Sequence, residues 1–181
     1  MTNILGISGS LRRRSHNSAL LRAAGAALPE GVMFREWRGL DEIPAYNEDT
    51  AAPPPAVIAL KAALAEADGV LFATPEYNAS VPGGLKNALD WVSRPFLENP
   101  LRGKPAAVVG ASQGVFGAIW AQAELRKILR TLGADVDDRD LVVAEAQSAF
   151  RADGSLRDET LASALRMVVC GLAGVQSRCA A

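Results

Sequence analysis

Residues 68–91 read Asp68-Gly69-Val70-Leu71-Phe72-Ala73-Thr74-Pro75-Glu76-Tyr77-Asn78-Ala79-Ser80-Val81-Pro82-Gly83-Gly84-Leu85-Lys86-Asn87-Ala88-Leu89-Asp90-Trp91. Val70 to Ala73 is an unbroken apolar run behind the turn Asp68-Gly69. Such a run is the mark of a strand buried on both faces, the kind found in parallel sheets. Parallel strands need long crossovers, usually helices, so helices are expected on either side. Downstream, a helix is expected from near Gly84 through Trp91 to about Arg94. Upstream, Ala56 to Ala67 repeats Val57, Leu60 and Leu64 at helical spacing.

The same alternation extends outward in both directions. Ile4 to Ser8 reads as a buried strand that stops at Gly9-Ser10. A helix follows to Leu28, with Asn17 or Ser15 as its N-cap. Val32 to Trp37 reads as a second strand, and residues 39–55, rich in proline, as a long surface loop. Pro105 to Gly110 is another apolar strand. Helix is expected over Phe116–Leu132, closed by Gly133. A last strand lies within Val136 to Ala144 and is firmest at Leu141-Val142-Val143. A final helix spans Leu156 to Gly171. This order of five strands and five helices predicts an α/β three-layer sandwich with right-handed crossovers. The sheet expected is parallel, of order 2-1-3-4-5, as in flavodoxin-like folds.

The chain has 181 residues, which fits a single domain over residues 1–175 with a short tail at 176–181. Basic and acidic residues number 19 and 20, and the net charge is −1. That balance argues against nucleic-acid binding and against a polybasic membrane contact. No apolar run approaches the roughly 18 residues of a membrane span, and no signal peptide is evident. The two cysteines, Cys170 and Cys179, form no C-x-x-C pair. Neither a zinc site nor a disulfide framework is expected, and a cytoplasmic location fits. The single histidine, His16, excludes mechanisms that need several imidazoles. As a lone loop histidine it is expected to be solvated. The three tryptophans, Trp37, Trp91 and Trp120, read as packing or interface residues.

In a sheet of this order, ligands bind beyond the carboxyl ends of the strands, where the strand order reverses. Three loops meet there. In the first, Gly9-Ser10-Leu11-Arg12-Arg13-Arg14-Ser15-His16-Asn17-Ser18 leads from strand to helix. A helix N-terminus carries free N–H groups and a partial positive charge, which suits a phosphate. Ser10, Ser15, Asn17 and Ser18 add donors and Arg12 a cationic one. A solvated loop before a capped helix is the plainer alternative. Neither G-x-x-x-x-G-K-[S/T] nor G-x-G-x-x-G is present, so the ligand expected is a monophosphate. In the second loop, Pro75 and Pro82 with Gly83-Gly84 make a stiff segment able to present backbone groups to a flat ring. A tight turn before a helix is equally compatible with it. In the third, Gly110-Ala111-Ser112-Gln113-Gly114 matches G-x-S-x-G at a strand-to-helix turn, the setting of a hydrolase nucleophile. That chemistry needs a histidine after the serine, and none follows Ser112.

Gly9-Ser10-Leu11-Arg12-x-x-Ser15-x-Asn17 and the run Thr74 to Trp91 together resemble the NAD(P)H-dependent FMN reductases, which include bacterial quinone and chromate reductases and azoreductase relatives. The resemblance extends from Ile4 to about Leu172. It implies one FMN per subunit, with Ser10, Arg12, Ser15, Asn17 and Ser18 at the phosphate. It implies Pro75, Glu76, Tyr77 and Asn78 along the isoalloxazine, and Ser112, Gln113 and Gly114 on its other side. NADPH or NADH would reduce the flavin. A quinone, free flavin, an azo compound or a metal oxyanion would then take the electrons in ping-pong turnover. No catalytic side chain is implied, because the flavin carries the chemistry. The resemblance also implies homodimers, often paired into homotetramers, with contacts on the helices that begin near Gly84 and Phe116. Chromate-reductase relatives use an Arg and a Tyr on the second of these helices. Ala118-Ile119-Trp120-Ala121-Gln122-Ala123 has neither, which argues against a tetramer by that route. A flavodoxin-like electron carrier is the alternative class, but such carriers are strongly acidic and this chain is nearly neutral.

Overall fold

A computed structural model describes residues 1–174. Its strands are β1 (Thr2–Ser8), β2 (Val32–Trp37), β3 (Gly69–Thr74), β4 (Pro105–Ala111), β5 (Asp135–Val136) and β6 (Val142–Val143). Its helices are α1 (His16–Ala26), α2 (Pro55–Glu66), α3 (Gly83–Val92), α4 (Ile119–Thr131) and α5 (Glu159–Leu172). All pairings are parallel, in the order β2-β1-β3-β4-β5, and β6 also pairs with β4. This is the flavodoxin-like order read from the alternation of apolar runs. The expected tail 176–181 lies outside the described residues.

Alternate residues of the central strands feed two separate cores. Leu5, Ile7, Val70, Phe72, Ala106 and Val108 point to one face and pack on α2, α3 and α4. Ile4, Leu71, Ala73, Ala107 and Val109 point to the other and pack on α1 and α5. Every residue of β3 is buried. This is why its sequence is continuous apolar and not alternating: both faces are covered by helices. Among the described residues, no helix is long and apolar enough to cross a membrane.

Three boundaries differ from expectation, each for a local reason. The last strand is two pieces, because Asp137 turns the chain aside. Its Oδ1 accepts from the Arg139 backbone N–H at 2.9 Å and from Arg139 Nε at 2.9 Å. Helix α4 starts at Ile119 rather than Phe116, because Gly117 and Ala118 hold φ of +51° and +64°. Helix α5 starts after Asp158, whose Oδ1 accepts from Thr160 N at 2.8 Å and Leu161 N at 3.2 Å. Helix α1 is capped by Ser15, one of the two residues expected to do so. Cys170 is fully buried in α5.

Candidate functional site

The loop after β1 is sewn to the neighbouring strand end. Gly9 N–H donates to Ala73 O at 2.8 Å. A Cβ on Gly9 would lie 2.9 Å from Leu85 Cδ2, so a larger residue here would require the Leu85 side chain to shift. Ser15 then caps α1. Its Oγ accepts from Asn17 N at 3.2 Å and Ser18 N at 3.3 Å. No acidic residue stands in the first turn of α1, so the positive end of the helix dipole is not offset by a carboxylate. Asn17 is buried and bridges to the third loop. Its Nδ2 donates to Ala111 O at 2.9 Å and its Oδ1 accepts from Ala111 N at 3.0 Å.

The second loop is a rigid hairpin. Tyr77 and Ser80 exchange backbone hydrogen bonds, both at 3.2 Å. Asn78 and Ala79, with φ of +54° and +59°, form the turn between them, as a two-residue type I′ turn requires. Two carboxylates pin this hairpin to α4. Glu76 Oε2 accepts from Trp120 N at 3.0 Å and Ala121 N at 3.1 Å, capping the helix from 44 residues away. In return, Glu124 Oε2 accepts from Ser80 Oγ at 2.6 Å and Val81 N at 3.2 Å. The Ser80 hydrogen bond, and then that from Val81, hold the Glu124 carboxyl below its usual range. Glu124 was not among the residues singled out from sequence. Its partners lie more than 40 residues back, and no short-range pattern reveals them.

A cavity of about 170 Å³ opens where the three loops meet. It brings together Ser10, Arg12, Ser15 and Asn17 of the first loop and helix start, Pro75, Glu76 and Tyr77 of the second, and Ser112 and Gln113 of the third. Three expected residues are not on its wall. Ser18 lines a neighbouring cavity, Asn78 is exposed in its turn, and Gly114 donates its N–H to Ser112 Oγ at 3.2 Å. His16 does line the cavity, half-buried and stacked on Phe150 with ring centroids 6.4 Å apart. This corrects the expectation of a solvated residue. Burial first, and Arg12 second, push its imidazole below the usual range. Among the described residues no hydrogen bond joins His16 to Ser112, whose Oγ accepts from its own loop. Ser112→Ala is therefore expected to leave reductase turnover largely intact. Loss of turnover with FMN still bound would contradict that.

The donor set suits a phosphate monoester with a flat ring attached. The Ser15 hydroxyl uses its lone pairs on the helix and keeps its hydrogen to donate. Ser10 and Arg12 line the same cavity, as do Tyr77 and Ala111–Gln113. Arg12→Ala is expected to weaken FMN binding by about 1.5–3 kcal/mol, the range for a hydrogen bond to a charged group. That corresponds to roughly a 10- to 150-fold higher Kd by fluorescence titration. An unchanged Kd would remove Arg12 from the phosphate site.

A parallel sheet of this order, with an unneutralised helix N-terminus and a braced hairpin at its switch point, defines a flavodoxin-like mononucleotide-binding protein. The model of the family described as NADPH-dependent FMN reductase matches residues 2–149. An NAD(P)H-dependent FMN reductase of Pseudomonas aeruginosa is 48% identical over 86% of this chain and 85% of its own. A quinone reductase of Escherichia coli is 40% identical over 74% of this chain and 72% of its own. The solved structure of FerB, a flavoenzyme NAD(P)H:(acceptor) oxidoreductase from Paracoccus denitrificans, is 36% identical. It superposes with a TM-score of 0.86, covering 98% of both chains. The chain belongs to the NADPH-dependent FMN reductase family. It is an oxidoreductase that works with FMN and a nicotinamide nucleotide.

Proposed function

We propose that the protein binds FMN in the three-loop cavity and uses NAD(P)H to reduce quinone-type acceptors. The observation that carries this is the convergence of Ser10, Arg12 and Ser15 at the start of α1 with Pro75–Tyr77 and Ser112–Gln113 around one opening. Ser10, Arg12, Ser15, Asn17 and Ser18 would hold the phosphate, Ser18 and Asn17 through the helix start that they build. Pro75, Glu76 and Tyr77 would line one side of the ring, and Ser112 and Gln113 the other, with Asn78 and Gly114 shaping the turns that present them. Bound FMN supplies hydride acceptance from the nicotinamide and the later release of electrons. The chain's residues supply position and shielding. Glu76 and Glu124 fix the hairpin against α4, so its backbone groups do not have to reorganise when charge develops nearby. Azo compounds and metal oxyanions stay as further candidate acceptors, since reduced flavin reacts with many oxidants.

We infer further that the enzyme is a homodimer. Val115, Phe116, Ile119 and Trp120 lie exposed in a cluster at the start of α4, beside the site, where a subunit contact would cover them. Its nucleotide donors are cytoplasmic, which supports placing the enzyme there. The test is steady-state kinetics of the FMN-loaded protein with NADPH and 1,4-benzoquinone varied together. Parallel double-reciprocal lines are expected for two half-reactions that share one site. Intersecting lines, or no quinone-dependent oxidation of the nucleotide, would overturn the assignment.

A further inference from the structure

His16 is the first residue of α1 and lies on the wall of the three-loop cavity, next to the cap Ser15. Its ring is braced from behind. The imidazole stacks on the Phe150 ring with 5° between the planes. Phe150 is held in turn by its bridge to Leu156 and by the core beneath α1 and α5. Among the described residues, no hydrogen bond engages either ring nitrogen of His16. The cavity wall that carries Ser10, Arg12 and Ser15 thus also carries an imidazole whose polar atoms are unused.

The charged groups around this ring are few. Arg12, from the first loop, is the one among the described residues that acts on it through its charge. Glu76 and Tyr77 face the cavity from the hairpin, but the Glu76 carboxylate is taken up by the N–H groups of Trp120 and Ala121. On the Phe150 side, Arg151 is turned to Glu159, at 2.6 Å. From α1 itself comes the positive end of the helix dipole, which no first-turn carboxylate offsets. Burial, Arg12 and the dipole all oppose an imidazolium here. A phosphate monoester is close to dianionic at pH 7, and in this cavity it would reverse that balance.

We propose that His16 is a further ligand of the FMN phosphate, and that it takes up a proton as the phosphate binds, which links cofactor retention to pH. The inference rests on the FMN assignment above and adds one residue and one proton to it. The proton comes from solvent and lands on the bare ring nitrogen, so both ring N–H groups become donors. A charged donor to a phosphate oxygen is the stronger kind of hydrogen bond. The sign follows from linkage. Protonation is easier in the complex than in the free protein, so FMN binds more tightly at low pH. That gain is lost as the pH rises through the range in which the bound imidazolium gives up its proton.

The test is calorimetric titration of the FMN-free protein with FMN at pH 7, in buffers of different ionisation enthalpy, which counts the protons exchanged on binding. The wild type is expected to take up a fraction of a proton per FMN. Two variants should lose that uptake: His16→Gln, which stays polar but cannot titrate, and His16→Phe, which keeps a ring to stack on Phe150. The titration of the phosphate itself is common to all three proteins, so the difference between them isolates His16. Between pH 6.5 and 8.5 the wild-type Kd should rise roughly 3- to 10-fold more than that of either variant, the scale of a pKa change of up to one unit. Equal proton exchange by wild type and variants, or a wild-type Kd that does not change with pH, would overturn the role of His16 and leave the FMN assignment standing. Failure of the wild type to bind FMN at any pH in this range would overturn both.

Discussion

Asn17→Ala is expected to lower the unfolding free energy by about 2–5 kcal/mol, because two buried backbone groups lose their partners together. Asn17 is 2% exposed, and its amide takes both the N–H and the C=O of Ala111, which is equally buried. That pair of bonds substitutes for a strand neighbour at the end of β4 and locks the start of α1 to the third loop. Alanine cannot replace either bond, and the space left is too enclosed to solvate both groups without loss. Urea unfolding followed by far-UV circular dichroism measures the change, with the m-value expected to hold. FMN retention should fall as well, since Ser112 and Gln113 follow directly from Ala111. A loss below about 1 kcal/mol would show that the bridge is replaceable by water and that the two loops are held by other contacts.

Gly117→Ala is expected to cost about 2–4 kcal/mol by two additive routes, left-handed strain and overpacking. Gly117 holds φ of +51°, where a Cβ is penalised. The same Cβ would lie 2.3 Å from Val142 Cγ1 and 3.0 Å from Ala144 N, so β6 would have to move. Thermal unfolding of the variant should fall well below that of the wild type. Gly84→Ala supplies the contrast. Gly84 is helical in α3, and a Cβ there would meet nothing within 4 Å. Its change is expected to fall within about 1 kcal/mol of wild type, on the stabilising side. Equal behaviour of the two variants would mean that the close approach of Gly117 to β6 does not constrain the fold.

The sheet was legible because β3 is buried on both faces, which leaves an unbroken apolar run that no amphipathic helix of that length would show. The phosphate end of the site was legible because Gly9, Ser10 and Ser15 stand at a strand-to-helix junction, and the physics of that junction is local. What escaped was the wiring across the fold. Asn17 reads as a cap or a phosphate donor from its neighbours, yet its side chain is committed to Ala111, 94 residues away. Glu76 enters the sequence reading only as a residue along the ring, yet its carboxylate caps α4. The division of the last strand at Asp137 depends on an arginine two residues on. The charges were visible in sequence, but their turn geometry was not. His16 looks like an ordinary solvated loop residue. Only the return of the chain after β6 brings Phe150 against its ring on the cavity wall.

The central claim is that the three-loop cavity holds FMN that a nicotinamide nucleotide can reduce. The most direct measurement is the visible spectrum of the protein incubated with FMN and freed of excess, recorded before and after anaerobic addition of NADPH. A protein-bound flavin spectrum that bleaches on addition is the result expected. No retained flavin, or retained flavin that stays oxidised, would contradict the claim.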